Sequence, residues 1–310
     1  MAVDCHIHMA LDGGYWKDAL ARHKDAPDEA FIRRTLETYK TLGFTYLRDG
    51  GDRWNAGKHA SELAGEYGMT YRTPCFPIYR KGHYGSFIGR GFETIDDFRA
   101  LVAEVKKSGG HFIKLMISGL MDFNHYGVLT DEPMPENLIA ELTKISHDEG
   151  FSVMAHANGD SAVRAALAAG VDSIEHGAYL SPETRSQLAE SHAVWVPTLV
   201  TIGNLIGDGR FPDAALRPLL AFQQRSVRDA AAQGARIACG SDAGAYRGSI
   251  SGWRGPQVHS PEGESRERDV MQRRAADLAA NDWAAHSAVE AISGNAIGTG
   301  LVPKASIPAD

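Results

Sequence analysis

The strongest constraint on the fold is a regular alternation of strand-like and helix-like segments along most of the chain. Short apolar runs have the length and composition of strands, and amphipathic segments of helical length separate them. The eight predicted strands are Val3–Met9, Phe44–Arg48, Met69–Pro77, His111–Ser118, Phe151–His156, Val171–His176, Ala193–Leu199 and Ala235–Asp242. The predicted helices between them are Pro27–Leu42, Ala56–Tyr67, Ile95–Lys107, Met134–Glu149, Ser161–Ala169, Pro182–Glu190 and Pro212–Gln233.

Eight strands that alternate with helices predict an α/β protein with a parallel sheet, because parallel neighbours need crossover connections. The length of 310 residues fits a closed (β/α)8 TIM-like barrel. An open doubly wound sheet is the alternative. No Gly-x-Gly-x-x-Gly segment follows the first predicted strand to favour that alternative.

Composition limits the kinds of molecule that the protein is expected to bind and the cellular compartment in which it is expected to work. The net charge is −7 and no Lys/Arg block stands out, so nucleic acid and anionic membranes are not expected partners. No apolar run approaches the roughly 20 residues of a membrane span, and the first residues lack signal-peptide features. Three cysteines in predicted strands fit reduced thiols, so we expect a cytoplasmic protein with a small-molecule substrate. The sequence allows a homo-oligomer and does not identify the oligomeric state.

Candidate metal ligands collect at one end of the predicted strands. His6 and His8 are two residues apart on the first strand, so both imidazoles point to the same face. Four further residues lie at or near the carboxyl ends of other strands: Lys114, His156, His176 and Asp242. The active site of a (β/α)8 barrel is built at this end, which favours one metal centre over scattered surface residues.

The types of these residues suggest two ions and a modified lysine. Imidazole and carboxylate ligands suit Zn²⁺ and similar divalent ions, and five such ligands exceed the needs of one tetrahedral ion with an open position. Two close cations need a bridging anion. A free ammonium of Lys114 beside them would be repelled, whereas CO₂ addition would give a carbamate that bridges both metals. The alternative is that Lys114 binds substrate, or that its long side chain extends to bring the ammonium to solvent.

Several segments in family order resemble the amidohydrolase superfamily, in its binuclear, carboxylated-lysine branch of imidazolonepropionase-like and prolidase-like hydrolases. They are Asp4-Cys5-His6-Ile7-His8, Phe112-Ile113-Lys114-Leu115-Met116-Ile117-Ser118-Gly119, Ala155-His156-Ala157-Asn158-Gly159, Ala169-Gly170-Val171-Asp172-Ser173-Ile174-Glu175-His176-Gly177, Val196-Pro197-Thr198-Leu199 and Gly240-Ser241-Asp242-Ala243-Gly244.

The resemblance implies a role for each ligand. His6, His8 and Asp242 would bind the more buried metal, and His156 and His176 the more exposed one. Carboxylated Lys114 would bridge the two. A metal-bridging hydroxide would be the nucleophile, and Asp242 would pass its proton to the leaving amine. The exposed metal would polarise the scissile carbonyl.

The chain departs from the family pattern in two places. The family β-sandwich is expected to be absent or trimmed, with residues 1–303 forming the barrel and residues 304–310 a C-terminal tail. Asn158 stands where prolidase-like relatives commonly carry a Tyr that binds a substrate carboxylate. A dipeptide substrate is therefore less favoured than a small polar amide.

Substrate contacts are expected from three residues, Arg80, His83 and Asn158. The segment Lys81–Gly85 resembles a family loop whose His contacts substrate. The loops Gly119–Pro133 and Ala243–Glu264 are expected at the mouth, the second as a lid or a solvated surface loop. Glu175 is expected to face away from the site by strand alternation.

These observations predict a metal-dependent hydrolase of amide-type C–N bonds in a small molecule. A mononuclear deaminase of the same superfamily is the first alternative, although Lys114 has no role in it. A metal-binding barrel without turnover is the second, and a phosphate-binding barrel lyase or isomerase is the third. The sequence does not identify the substrate.

Overall fold

The computed structural model describes residues 2–248 as a mixed α/β fold whose paired strands are all parallel. The strands are β1 Ala2–Ile7, β2 Phe44–Asp49, β3 Thr70–Arg72, β4 Pro77–Arg80, β5 Arg90–Phe92, β6 Ile113–Met116, β7 Val153–Ala157, β8 Ser173–His176, β9 Val194–Val196 and β10 Arg236–Ile237. One sheet has the order β1-β2-β3, and the other has the order β10-β9-β8-β7-β6-β4-β5.

All seven predicted helices are present, and two further short helices within residues 2–248 were not predicted. They are α1 Trp16–Ala21, α2 Glu29–Thr41, α3 Ala56–Leu63, α4 Ile95–Lys107, α5 Glu136–Asp148, α6 Asp160–Ala169, α7 Pro182–Glu190, α8 Val200–Gly203 and α9 Asp213–Ala232. The side chains of Asp28 and Ser181 cap α2 and α7. Thr94 and Asp97 form a capping box at the start of α4.

The predicted alternation and the parallel strands are confirmed, but no closed barrel is detected among the described residues. The single strand predicted over Met69–Pro77 is wrong. Cys75 has a φ of 66°, a left-handed conformation that interrupts a strand. The chain therefore forms two short strands there, β3 pairing with β2 and β4 pairing with β6.

The strand predicted over Ala235–Asp242 is also shorter than expected, since β10 covers only two residues. The chain beyond it nevertheless runs beside β1. Cys5 N donates to Cys239 O at 2.8 Å, and Asp242 N donates to His6 O at 2.7 Å. These bonds bring Asp242 to the carboxyl end of β1.

The apolar core lies between the sheets and the helices that cover them. Phe98, Val102, Ile139 and Leu142 from α4 and α5 pack on the larger sheet, and all four are fully buried. A second cluster joins β1 and β2 to α2 and α3. Each such side chain contributes about 1.5–3 kcal/mol of burial free energy, which fixes the strands whose ends carry the site.

Two further findings bear on the sequence predictions. No helix within residues 2–248 is long and apolar enough to cross a membrane. Cys5, Cys75 and Cys239 are free thiols. The tail at residues 304–310 and all but the first six residues of the predicted lid Ala243–Glu264 lie outside the described residues, so both stay predictions.

Candidate metal centre

His6, His8 and Asp242 form a compact cluster at the carboxyl end of β1. Their ligand atoms all lie within 4.8 Å of one another. Asp242 Oδ1 is 3.1 Å from His8 Nε2 and 3.5 Å from His6 Nε2. The pairing of β1 with β2 shifts register between Asp4 and Ile7, and Asp242 has a φ of 52°. The irregular backbone on both sides directs the three side chains to one point.

The cluster has the features of a cation site. His6 Nε2 and Asp242 Oδ1 are buried and have no hydrogen-bond partner among the described residues. Unpartnered buried polar atoms are costly, and a divalent ion would satisfy both. Burial alone would raise the pKa of Asp242, but His6, His8 and Lys114 beside it lower that pKa below its ordinary value. The donor set therefore fits a metal ion.

A glycine makes room for the cluster. A Cβ on Gly50, which directly follows β2, would lie 2.5 Å from His8 Cε1. No side chain fits at that distance. The backbone after β2 can therefore approach the imidazole only because residue 50 is glycine.

Glu175 holds His6 in place, which corrects the expectation that it faces away. Its Oε2 lies 2.5 Å from His6 Nδ1, so the imidazole donates its Nδ1 hydrogen and keeps Nε2 free for a metal. Glu175 also accepts hydrogen bonds from Arg48 and, at 2.7 Å, from Ser173 Oγ. Both charged side chains are buried, so Arg48 neutralises Glu175 in the interior.

Backbone geometry explains why strand alternation gave the wrong face for Glu175. The next residue, His176, has a φ of 66°, and Gly177 N donates to Glu175 O at 2.9 Å. This γ-turn ends β8 and turns His176 to the same side as Glu175. Two consecutive side chains therefore face the site.

Lys114 lies in β6 with its side chain fully enclosed. It is 1% exposed, and its Nζ has no hydrogen-bond partner among the described residues. Burial lowers the pKa of Lys114 to about 8, although Glu175 and Asp242 act in the opposite direction. A buried, partnerless amine with a lowered pKa is the group that the carbamate prediction requires.

His156 and His176 extend the row of imidazoles from His6. The ring centroids are 5.0 Å apart for His6 and His176, and 4.7 Å apart for His156 and His176. The pKa of all three lies well below the ordinary value, because each is buried and feels the charge of Lys114. All three are therefore neutral, the form that binds metals.

Hydrogen bonds from outside the row orient these two rings. Thr198 Oγ1 lies 2.7 Å from His176 Nδ1, and Gly119 O lies 3.2 Å from His156 Nε2. Each ring thereby keeps its other nitrogen for the centre. The six predicted ligands thus come together, with Lys114 close enough to lower the pKa of its histidine neighbours.

The three predicted substrate residues differ in their surroundings. Arg80 ends β4 and is half-buried. His83 Nδ1 is 3.2 Å from both carboxylate oxygens of Asp131. Asn158 is buried, its Nδ2 donates to Gly119 O at 3.3 Å, and its Oδ1 accepts from Ala178 N at 3.3 Å. The Asn158 amide therefore ties two loops together.

Sequence reasoning missed three residues at the site, Glu175, Asp131 and Tyr84. The Tyr84 ring packs on His156 with centroids 5.0 Å apart. Asp131 accepts a hydrogen bond from Tyr84 N at 2.7 Å. Their positions in the sequence could have indicated them. Glu175 directly precedes His176, Tyr84 directly follows His83, and Asp131 lies in the loop after β6.

Two proteins of known sequence are similar to this chain. No protein-family model matches the chain. Ochratoxinase from Aspergillus niger is 26% identical over 282 residues, which cover 77% of this chain and 56% of that protein. An uncharacterised protein of Mycobacterium tuberculosis is 31% identical over 257 residues, covering 78% of this chain and 63% of that protein. The chain thus spans little more than half the length of these relatives.

Solved structures share the fold. The crystal structure of A. niger ochratoxinase has a TM-score of 0.65 at 19% identity, covering 77% of this chain and 62% of that one. A Xaa-Pro dipeptidase with methionine bound in its active site has a TM-score of 0.61 at 21% identity, covering 78% of this chain and 66% of that one. These likenesses support the fold.

Proposed function

The chain fits the amidohydrolase superfamily, as its sequence motifs predicted, and from that premise we propose that it is a metal-dependent hydrolase of amide-type C–N bonds in a small molecule. The two parallel sheets would be the parts of one (β/α)8 barrel, with the site at the carboxyl ends of its strands. A cytoplasmic location stays a prediction.

The observation that carries the proposal is the convergence of buried, partnerless ligand atoms. His6 Nε2, Asp242 Oδ1 and Lys114 Nζ all lack hydrogen-bond partners within residues 2–248. Buried polar atoms are normally hydrogen-bonded in a folded interior, so a carboxylate oxygen, an imidazole nitrogen and an amine without partners near the carboxyl ends of the strands call for a ligand. A divalent centre would satisfy all three.

We assign His6, His8 and Asp242 to one divalent ion and His156 and His176 to a second, with Zn²⁺ as the first metal to test. Lys114 would join them as a carbamate. Its neutral amine forms the N–C bond to CO₂ and releases a proton, and the resulting anion offsets the charge of the ions. Bound ions would supply Lewis acidity toward the carbonyl and toward the attacking water.

The protein's own groups would manage the proton. Although burial acts to raise the pKa of Asp242, the imidazoles of His6 and His8 lower it below the ordinary value, so Asp242 would stay ionised. It would accept the proton that the water loses and pass it to the leaving nitrogen, which becomes an amine. Glu175 keeps His6 in the tautomer that leaves Nε2 free, so the ligand set is oriented before any substrate arrives.

The surroundings favour a small polar amide, cyclic or acylated, over an Xaa-Pro dipeptide. The Asn158 amide is engaged by two loops and offers no charge to a carboxylate. His83 and Arg80 remain the proposed substrate contacts on the side of β4. Both residues lie close in sequence to Tyr84, whose ring packs on His156.

The test is a hydrolysis screen on metal-loaded and chelator-treated protein. Suitable probes are N-acetyl-L-methionine, dihydrouracil, a simple ester and the dipeptide Met-Pro. We expect cleavage of an amide by the loaded protein only. Deamination of an aminopurine or aminopyrimidine without amide cleavage would favour the mononuclear deaminase. Metal binding without any turnover would favour the barrel that only binds metal.

A further inference from the structure

Gln223 is an amide side chain on the buried face of α9, close to the candidate metal centre. Its side chain is 1% exposed. The same face of the helix is otherwise largely apolar and includes Leu216, Leu219 and Ala230. A buried amide costs free energy unless it is hydrogen-bonded, so an amide in this face requires a partner within the protein.

The partner of Gln223 is the turn that ends β8. Gln223 Nε2 donates to His176 O at 2.9 Å and to Gly177 O at 3.0 Å. Trp195, a fully buried residue of β9, donates from its Nε1 to His176 O at 3.0 Å. Donors from a helix and from a neighbouring strand therefore hold two successive carbonyl groups of this turn.

The backbone of the turn has a conformation that needs such support. His176 has a φ of 66° and Gly177 a φ of 60°. The left-handed region is unfavourable for a histidine, and residues of this kind persist where the surrounding contacts hold them. A Cβ on residue 177 would lie 2.4 Å from Trp195 Nε1, so the indole reaches the turn only because this residue is glycine.

The turn determines where the His176 imidazole points. In an extended strand, the side chains of Glu175 and His176 would face opposite sides of the sheet. In the turn both face the site, and the His176 ring lies 4.7 Å from the His156 ring, with Thr198 Oγ1 2.7 Å from His176 Nδ1. Relaxation toward the extended conformation would therefore remove His176 from the row of imidazoles.

We propose that Gln223 is a positioning residue whose amide, together with the Trp195 indole, holds the turn that presents His176 to the second divalent ion. This inference rests on the proposed function for that ion. It goes beyond the ligand set, because it assigns control of one ligand to a helix that supplies none. The three ligands of the first ion lie outside this turn, so Gln223 should affect the two ions unequally.

The test follows Co²⁺ binding to the full chain by visible absorption, since the spectrum of Co²⁺ depends on its coordination at each site. Gln223→Met keeps the length of the side chain and removes both donors. We expect the affinity for the second equivalent to fall about 10-fold with a changed absorption band, while the first equivalent binds as in the wild type. A role in stability alone would lower the free energy of unfolding in urea and leave both Co²⁺ steps unchanged.

Two other variants complete the test. Gln224→Met is the matched control, because it makes the same replacement at the next residue of α9, which forms no hydrogen bond to the turn within residues 2–248. It should bind both equivalents like the wild type. Trp195→Phe keeps a ring but removes the other donor, so it should weaken the second equivalent less than Gln223→Met does. It also tests the turn independently of α9.

Wild-type affinity for both equivalents in Gln223→Met would overturn the inference, and so would an equal loss of both. A wild type that binds fewer than two ions would refute the two-ion centre of the proposed function. Crystal structures of the metal-free proteins would then decide the inference. A His176 φ that stays near 66° in Gln223→Met would overturn it, whereas a relaxed turn with Nδ1 away from Thr198 would support it.

Discussion

Replacing Glu175 separates the orientation of a metal ligand from the stability of the fold. Glu175 is fully buried and joins His6 Nδ1 at 2.5 Å to the guanidinium of Arg48. Glu175→Gln keeps the size and an oxygen acceptor but removes the negative charge. The imidazole then loses the partner that fixes its tautomer and raises its basicity.

The expected cost follows from the kind of contact that is lost. Removing a carboxylate behind a ligating histidine lowers metal affinity by about 10- to 100-fold, which corresponds to about 1.4–2.7 kcal/mol. Glu175→Ala should cost more, because Arg48 then loses its hydrogen-bond acceptor as well as its counter-ion. Breaking a buried ion pair destabilises a fold by about 3–5 kcal/mol.

Two assays separate these effects. Competition with a Zn²⁺ chelator measures metal affinity, and urea unfolding of the metal-free protein measures the free energy of unfolding. Glu29→Gln is the control, since Glu29 forms an exposed ion pair with Arg33 on α2 and should leave metal affinity unchanged. A Glu175→Gln protein that binds Zn²⁺ with wild-type affinity would refute the orienting role.

Three further predictions concern proton transfer, substrate binding and pH. Asp242→Asn keeps an oxygen ligand but removes the base, so kcat should fall by roughly 10²–10⁴ while bound metal persists; near-native kcat would assign the proton transfer elsewhere. His83→Ala should lower kcat/KM on the substrate found by the screen without changing metal content, and an unchanged kcat/KM would remove His83 from the substrate site. Burial acts to raise the pKa of Asp172, but His147, His192 and Val153 N lower it to about 2. This carboxylate therefore stabilises the fold above about pH 4 and loses that contribution as pH falls toward 2. Asp172→Asn should cost about 2 kcal/mol in urea unfolding at pH 7, a difference that shrinks below pH 4; a pH-independent difference would show that the ion pairs contribute nothing.

The order of elements was predictable because it depends on local chemistry. Capping residues such as Thr94 and Ser181 set helix starts that the structure reproduces. The positive φ of Cys75 was not predictable, since a non-glycine residue rarely adopts it, but Pro74 directly before it is a strand-breaking signal that the predicted strand Met69–Pro77 passed over. The short helices α1 and α8 were missed because their few residues carry little periodicity.

The candidate site was predictable where it depends on strand ends and not where it depends on neighbours in space. His6 and His8 follow from their spacing along one strand. The role of Glu175 could not be predicted, because His176 adopts a φ of 66° and the side chains there no longer alternate between the two faces of the strand. Asp131 and Tyr84 meet across 47 positions of sequence, a contact that only the packing of two loops reveals.

Two divalent ions that share a carboxylated Lys114 would form the proposed catalytic centre. Elemental analysis of freshly purified, Zn²⁺-supplemented protein, run beside Lys114→Ala with and without a short-chain carboxylate, tests this claim. We predict about two equivalents per chain for the wild type, loss of metal in Lys114→Ala, and partial recovery with the added carboxylate. One tightly held equivalent in a fully active wild type, or a Lys114→Ala protein that still holds two, would contradict it.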